Sequence, residues 1–96
     1  AQPVPDTVKR AVDGRVADTI DRSDLWLAQT PQMFRIGELR SALAAARQGG
    51  FAVTDEASAM ERAGATVQLV PAPRCNLKVT SPGDIQLVRF YLESGV

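Results

Sequence analysis

Histidine is missing from this 96-residue chain, and cysteine occurs once, at Cys75. Without an imidazole the chain lacks the commonest general acid–base group and the commonest neutral metal ligand, which argues against most hydrolases and zinc enzymes. A single thiol excludes an internal disulfide and fits a reducing compartment. Aromatic residues are only 5% of the sequence, while the apolar share of 45% is ordinary for a globular protein. No apolar run approaches the roughly 20 residues that span a bilayer, and the first residues lack the basic-then-apolar order of a signal peptide. Eleven basic residues balance eleven acidic ones, so no net field draws the chain to nucleic acid or to an anionic membrane. No Gly-rich phosphate loop and no carboxylate pair at metal-ligand spacing is present. A soluble, cytoplasmic chain is expected. Any phosphate it binds must be held by a few placed cations.

A chain of this length makes one small domain that is marginally stable by itself. No internal repeat or low-complexity tract occurs. The Ala-Gln-Pro-Val-Pro start reads as the interior of a strand-and-loop region, because Pro3 and Pro5 push their neighbours toward extended geometry. Val8 to Val12 alternates apolar and charged residues, Asp13-Gly14 is a strong hairpin signal, and Arg15 to Arg22 returns with Val16 and Ile20 as its apolar beats. So little apolar surface makes this hairpin an arm that needs a partner surface. From Phe34 the spacing turns helical, with Ile36, Leu39, Leu43 and Ala46 as the stripe and Gly49-Gly50 as the stop. Thr54 is expected to cap a second helix that Gly64 closes. Thr66 to Val70 and Asn76 to Thr80 read as strands. Ser81-Pro82-Gly83-Asp84 opens a last helix with Ile85, Val88, Tyr91 and Leu92 inward. Helices between short strands imply an α/β layer arrangement with too few strands for a satisfactory sheet.

One run stands out: Asp21-Arg22-Ser23-Asp24-Leu25-Trp26-Leu27-Ala28-Gln29-Thr30-Pro31-Gln32. It sets Gln29, Thr30 and Gln32 around a proline, between the apolar groups Leu25-Trp26-Leu27 and Met33-Phe34. Polar side chains between core anchors cost free energy unless each finds a partner, so such a patch usually has a task. With Asp6-Thr7-Val8-Lys9-Arg10 and Asn76-Leu77-Lys78-Val79-Thr80, this run resembles the second half of the 2-C-methyl-D-erythritol 4-phosphate cytidylyltransferase family, from Pro3 to about Leu92. The family moves CMP from CTP onto a sugar-alcohol phosphate with release of pyrophosphate, in isoprenoid precursor synthesis.

The resemblance implies an α/β fold, the C-terminal part of a Rossmann-like nucleotidyltransferase sheet with helices, plus a projecting β-hairpin arm. It divides the chain into an arm, residues 1–26, for dimerisation and substrate contact, and residues 27–96, the C-terminal part of the catalytic domain. It implies a homodimer through the arm, and a missing N-terminal half that carries the CTP contacts and the ligands of a magnesium ion. The fragment alone is expected to be inactive. By the same resemblance Lys78 is catalytic and substrate-binding, at the phosphate side of the reaction, and Thr7, Arg22, Thr30 and Thr54 bind substrate. Arg22 has a planar fork suited to bidentate phosphate contact, and Gln29 and Gln32 are expected to orient Thr30. Blander readings exist for each: Arg22 as a solvated cation between Asp21 and Asp24, Thr7 as a strand residue, Thr30 as a turn hydroxyl, Thr54 as a helix cap, and Lys78 as an exposed edge lysine. Lys9 and Arg10 fit a solvated face at least as well as a site. Two alternatives remain: a ribitol-5-phosphate cytidylyltransferase of the same family, and a non-catalytic binding or dimerisation module.

Overall fold

The structure is a computed structural model and describes residues 1–95. Its elements are β1 (Gln2–Pro3), β2 (Val8–Val12), β3 (Arg15–Ile20), β4 (Trp26–Leu27), α1 (Ile36–Gln48), α2 (Glu56–Arg62) and α3 (Pro82–Glu93). Two compact units form: Ala1–Thr30 together with the segment from Val70 onward, and Pro31–Leu69.

In the first unit, β2 and β3 pair antiparallel around Asp13 and Gly14, with φ of 51° and 76°. Positive φ at both central residues is what a type I′ turn requires, and Asp and Gly are among the few residues that tolerate it. The register sets Val8 against Ile20, Lys9 against Thr19 and Arg10 against Asp18, then shifts so that Ala11 meets Val16 and Val12 meets Arg15. Ala17 is therefore the extra residue of a β-bulge. Opposed residues share a face and successive residues alternate. The bulge thus separates Val16 from Ile20, the two beats that the sequence pattern groups together. A salt bridge of 3.1 Å joins Arg10 to Asp18, and Lys9 Nζ donates to Thr19 Oγ1 at 2.6 Å.

Below the arm, Gln2 lies opposite Leu27 and Pro3 opposite Trp26, and the Val4 N–H extends this ladder to the Leu25 carbonyl at 3.1 Å. The amino group of Ala1 donates to the Val70 carbonyl at 2.9 Å, and the Ala72 N–H returns to the Ala1 carbonyl at 3.0 Å. The expected strands Thr66 to Val70 and Asn76 to Thr80 do not form. Strand-favouring side chains make a strand only against a paired neighbour, and these segments have no ladder partner among the described residues. α3 does start at the foreseen place. Pro82 takes the first turn, and one Asp84 oxygen accepts the Ser81 and Thr80 N–H groups and the Thr80 hydroxyl, each at 3.0 Å. Its expected inward stripe is only half right. Val88 and Tyr91 are half-buried, but Ile85 and Leu92 are exposed, because α3 packs on no strand of its unit.

The second unit is two helices around a core of small side chains. Leu39, Ala42, Leu43 and Ala46 recur at the spacing of one helix face. Ala42 and Ala46 are buried against Ala59 and Met60 of α2, flanked by Phe34, Leu39, Leu43 and Val67. Ile36, expected on that stripe, lies outside it and is 76% exposed. Both helices end in Schellman closures, with Phe51 N–H bonded to Ala46 O and Ala65 N–H to Met60 O. Gly50 and Gly64 supply the positive φ, 68° and 86°, that this closure needs.

The cap of α2 corrects the sequence reading: it is Asp55, not Thr54. The Asp55 carboxylate accepts the Ser58 N–H at 2.8 Å, and the Asp55 N–H reaches the Ser58 hydroxyl at 3.4 Å. Thr54 has no such reciprocal partner, since three residues on stands Ala57. Gln32 completes the helix start by donating to Asp55 Oδ2 at 3.0 Å and accepting the Ala57 N–H at 3.1 Å. These bonds, that from Gln32 first and that from Ser58 second, hold the Asp55 carboxyl below its ordinary value of 3.8. Asp55→Ala is expected to cost about 1 kcal/mol in chemical denaturation at neutral pH. A depressed carboxyl stabilises above its unfolded pKa and loses that contribution as pH falls through the folded one. The gap between wild type and Asp55→Ala should therefore be constant above about pH 5 and close as pH falls below about 4.

Candidate functional site

Arg22 sits where the arm meets the rest of the first unit. One guanidinium nitrogen, Nη1, donates to the carbonyls of Pro5 and of Val4, the latter at 3.4 Å. This tie lies across the strand ladder, with Pro5 two residues before Thr7 in sequence. Arg22 forms no ion pair with Asp21 or Asp24. Asp21 instead accepts the Ser23 N–H at 2.9 Å and the Ser23 hydroxyl at 2.8 Å, and these bonds lower its pKa. A guanidinium has five donors in a fixed fork, so Arg22 keeps spare donors beyond the two backbone contacts. Thr7 is exposed. Lys9 and Arg10 are occupied across the hairpin by Thr19 and Asp18, in keeping with a solvated face.

Thr30 and Lys78 belong to a second group in the same unit, joined by amides. Asn76 Nδ2 donates to the Thr30 carbonyl at 2.8 Å. Gln29 Nε2 donates to the carbonyls of Pro73 and Asn76, both at 3.2 Å. The Thr30 segment is thereby fastened twice to the loop that leads to Lys78. Thr30 and Lys78 are both exposed, and no salt bridge holds the Lys78 ammonium among the described residues. The expectation that Gln29 and Gln32 orient the Thr30 hydroxyl gives way to a different arrangement. Gln29 serves the loop, Asn76 holds the backbone of Thr30, and Gln32 serves α2 in the other unit.

Thr54 is exposed and lies in the second unit, one residue before the cap Asp55. Two of the N–H groups at that helix start, of Ala57 and Ser58, are already taken by Gln32 and Asp55. An open concavity of about 320 Å³ in this unit, lined by Leu43, Arg47, Phe51 and Val53, contains none of the candidate residues. Among the described residues no three His, Cys, Asp or Glu side chains come together as a cation's ligand set. The residues present thus do not fit a divalent metal, and no step is routed through one. Sequence reasoning missed Asn76 as the holder of Thr30. No local signal names that partner, which lies 46 residues away.

The architecture matches crystal structures of cytidylyltransferases. The enzyme from Thermus thermophilus aligns over 95% of this chain with a TM-score of 0.85 and 33% identity, covering 45% of that chain. The enzyme from Francisella tularensis aligns over 93% with the same TM-score of 0.85 and 34% identity, covering 42% of its chain. A structure titled 4-diphosphocytidyl-2C-methyl-D-erythritol synthase shares 48% identity over 95% of this chain, at a TM-score of 0.82. The class is therefore that of the nucleotidyltransferases with this Rossmann-like α/β fold. The model of one family, 2-C-methyl-D-erythritol 4-phosphate cytidylyltransferase, matches residues 1–94, and the chain belongs to that family. A relative of that name from Bordetella petrii is 60% identical over 96% of this chain, and one from Pseudomonas aeruginosa is 59% identical over 88%. The chain spans about 40% of the length of these relatives, 41% and 37% respectively.

The double bond from Arg22 to the Val4 and Pro5 carbonyls gives it a structural task besides any ligand. Arg22→Ala is expected to speed hydrogen–deuterium exchange several-fold at the Val4 amide, which bonds across the ladder to the Leu25 carbonyl, and at the Leu25 amide, which closes a turn on the Arg22 carbonyl. Arg22→Lys should give an intermediate rate, because an ammonium can still reach one carbonyl but lacks the fork. Unchanged exchange in both variants would remove this task.

Proposed function

We propose that this chain is the C-terminal part of an enzyme that transfers CMP from CTP to 2-C-methyl-D-erythritol 4-phosphate and releases pyrophosphate. The observation that carries the reading is the family match over residues 1–94. Every relative reported above by sequence carries the methylerythritol name, which favours that substrate over ribitol 5-phosphate.

The reaction brings two polyanions together while charge builds on the departing pyrophosphate, so its main demand is fixed positive charge. In this reading Lys78 and Arg22 meet phosphate oxygens. Lys78 supplies a point charge from a segment fastened to Thr30. Arg22 supplies a fork from the base of the arm. Thr7, Thr30 and Thr54 contribute hydroxyls that can donate or accept to the substrate's phosphate and hydroxyl groups. Magnesium, expected for the family, would be held by residues outside this chain, as would the CTP contacts. The arm, with Val12 57% and Val16 62% exposed, would pack on a second copy in a homodimer, in the cytoplasm. No helix of the described residues is long and apolar enough to cross a membrane.

Two experiments test this. The isolated chain, given CTP, magnesium and methylerythritol phosphate, should release no pyrophosphate; turnover in the ordinary enzyme range of roughly 1–1000 per second would show that it needs no other half. In the full-length protein, Lys78→Ala should lower kcat/KM by roughly 100-fold or more, equivalent to about 3 kcal/mol of lost transition-state contact. Arg47→Ala, at the open concavity of the second unit, should be silent. Equal damage from both variants would reduce Lys78 to surface charge.

A further inference from the structure

We propose that Gln29 is a positioning residue for Lys78, acting through the reciprocal fastening of the Thr30 and Asn76 segments. The inference rests on the reading of Lys78 as a phosphate-binding group and adds to it how that lysine is held.

A single amide nitrogen of Gln29 has two hydrogens, and both are used, one on the Pro73 carbonyl and one on the Asn76 carbonyl, 44 and 47 residues away in sequence. The same two residues bound a tight turn, closed by the Asn76 N–H on the Pro73 carbonyl at 3.1 Å. Gln29 therefore grips both corners of the turn. Asn76 returns a bond of 2.8 Å to the carbonyl of Thr30, the residue next to Gln29. Two segments distant in sequence are locked in both directions. Lys78 follows two residues later, and Thr80 is pinned in its turn by Asp84 through its N–H and its hydroxyl. Lys78 lies midway in a five-residue span that is fixed at both ends. Nothing else among the described residues ties down its ammonium.

The other end of the Gln29 amide argues against a merely structural task. Its Oε1 is buried and has no hydrogen-bond partner among the described residues. An unsatisfied acceptor is costly, and a residue present only for stability would be poorly chosen there. What the glutamine gains in exchange is a fixed path for the backbone leading to Lys78. A displacement of about 1 Å in a group that must meet a phosphate can cost on the order of 100-fold in rate.

The test is a double-mutant cycle in the full-length protein, with kcat, KM and thermal midpoint measured for each member. Gln29→Leu removes the donor, and Gln29→Glu keeps the shape while placing an acceptor against two carbonyls. Each is expected to lower kcat roughly 10- to 100-fold with little change in KM for CTP, and to speed hydrogen–deuterium exchange in residues 74–80. Combined with Lys78→Ala, neither should lower kcat by more than about twofold further, since there is no lysine left to position. A loss of the same size with and without Lys78 would overturn the proposal, as would wild-type kcat in either Gln29 variant. Failure of both variants to fold would assign Gln29 to stability alone and overturn it as well. Silent Lys78→Ala would sink the underlying reading, and the proposal with it. Damaging Lys78→Ala beside silent Gln29→Leu would sink the proposal alone.

Discussion

Side chains bonding to backbone carbonyls hold the first unit in place of a core. None of its described residues is buried, so apolar burial of the usual kind, worth about 25 cal/mol per Å², cannot order its loops. Arg22 ties the two sides of the arm base, Gln29 and Asn76 tie the Thr30 segment to the Lys78 loop, and Asp84 ties Thr80 to α3. Each bond contributes only about 0.5–1.5 kcal/mol net. Their value lies in geometry: those of Gln29 and Asn76 join segments distant in sequence that no strand ladder among the described residues holds in register. The two cations proposed to meet phosphate, Arg22 and Lys78, both lie at or beside such ties.

The second unit is built differently. Small residues on one face of α1 let α2 approach closely, and Ala42, Ala46, Ala59 and Met60 form its buried centre. So small a core stabilises little, and the helix ends carry a correspondingly large share. Asp55, Ser58 and Gln32 satisfy the start of α2, and two Schellman closures satisfy the ends of both helices. Gln32 and Gln29 flank the same threonine-proline pair yet serve different units. That split explains why a polar patch between apolar anchors was needed there: its members face separate backbones.

Features set by short-range chemistry were legible in the sequence, and those set by distant partners were not. Asp13-Gly14 announced the hairpin because only a few residues tolerate positive φ at both turn positions. Gly50, Gly64 and the Ser81-Pro82-Gly83-Asp84 start likewise marked helix boundaries. The choice between Thr54 and Asp55 as cap depended on which had an oxygen-bearing residue three positions on, and Ser58 decided it. The bulge at Ala17 left no local mark, for it depends on how two strands twist against each other. The segments from Thr66 and from Asn76 have strand composition but no ladder partner among the described residues. Ile85 and Leu92 follow helical spacing but are exposed among the described residues, since periodicity shows which face is apolar and not what covers it. For the candidate site, the run from Asp21 to Gln32 marked the polar patch, while the bond from Asn76 to Thr30 spans 46 residues and could not be read from spacing.

In the proposed reading Lys78 and Arg22 are phosphate contacts and not surface charge. The most direct measurement is a crystal structure of the full-length protein with the cytidine diphosphate-linked methylerythritol product bound. The claim predicts the Lys78 ammonium and an Arg22 guanidinium nitrogen within hydrogen-bond distance of product phosphate oxygens, about 2.7–3.2 Å. Product bound in an ordered site with both cations more than about 6 Å from any phosphate oxygen would contradict it.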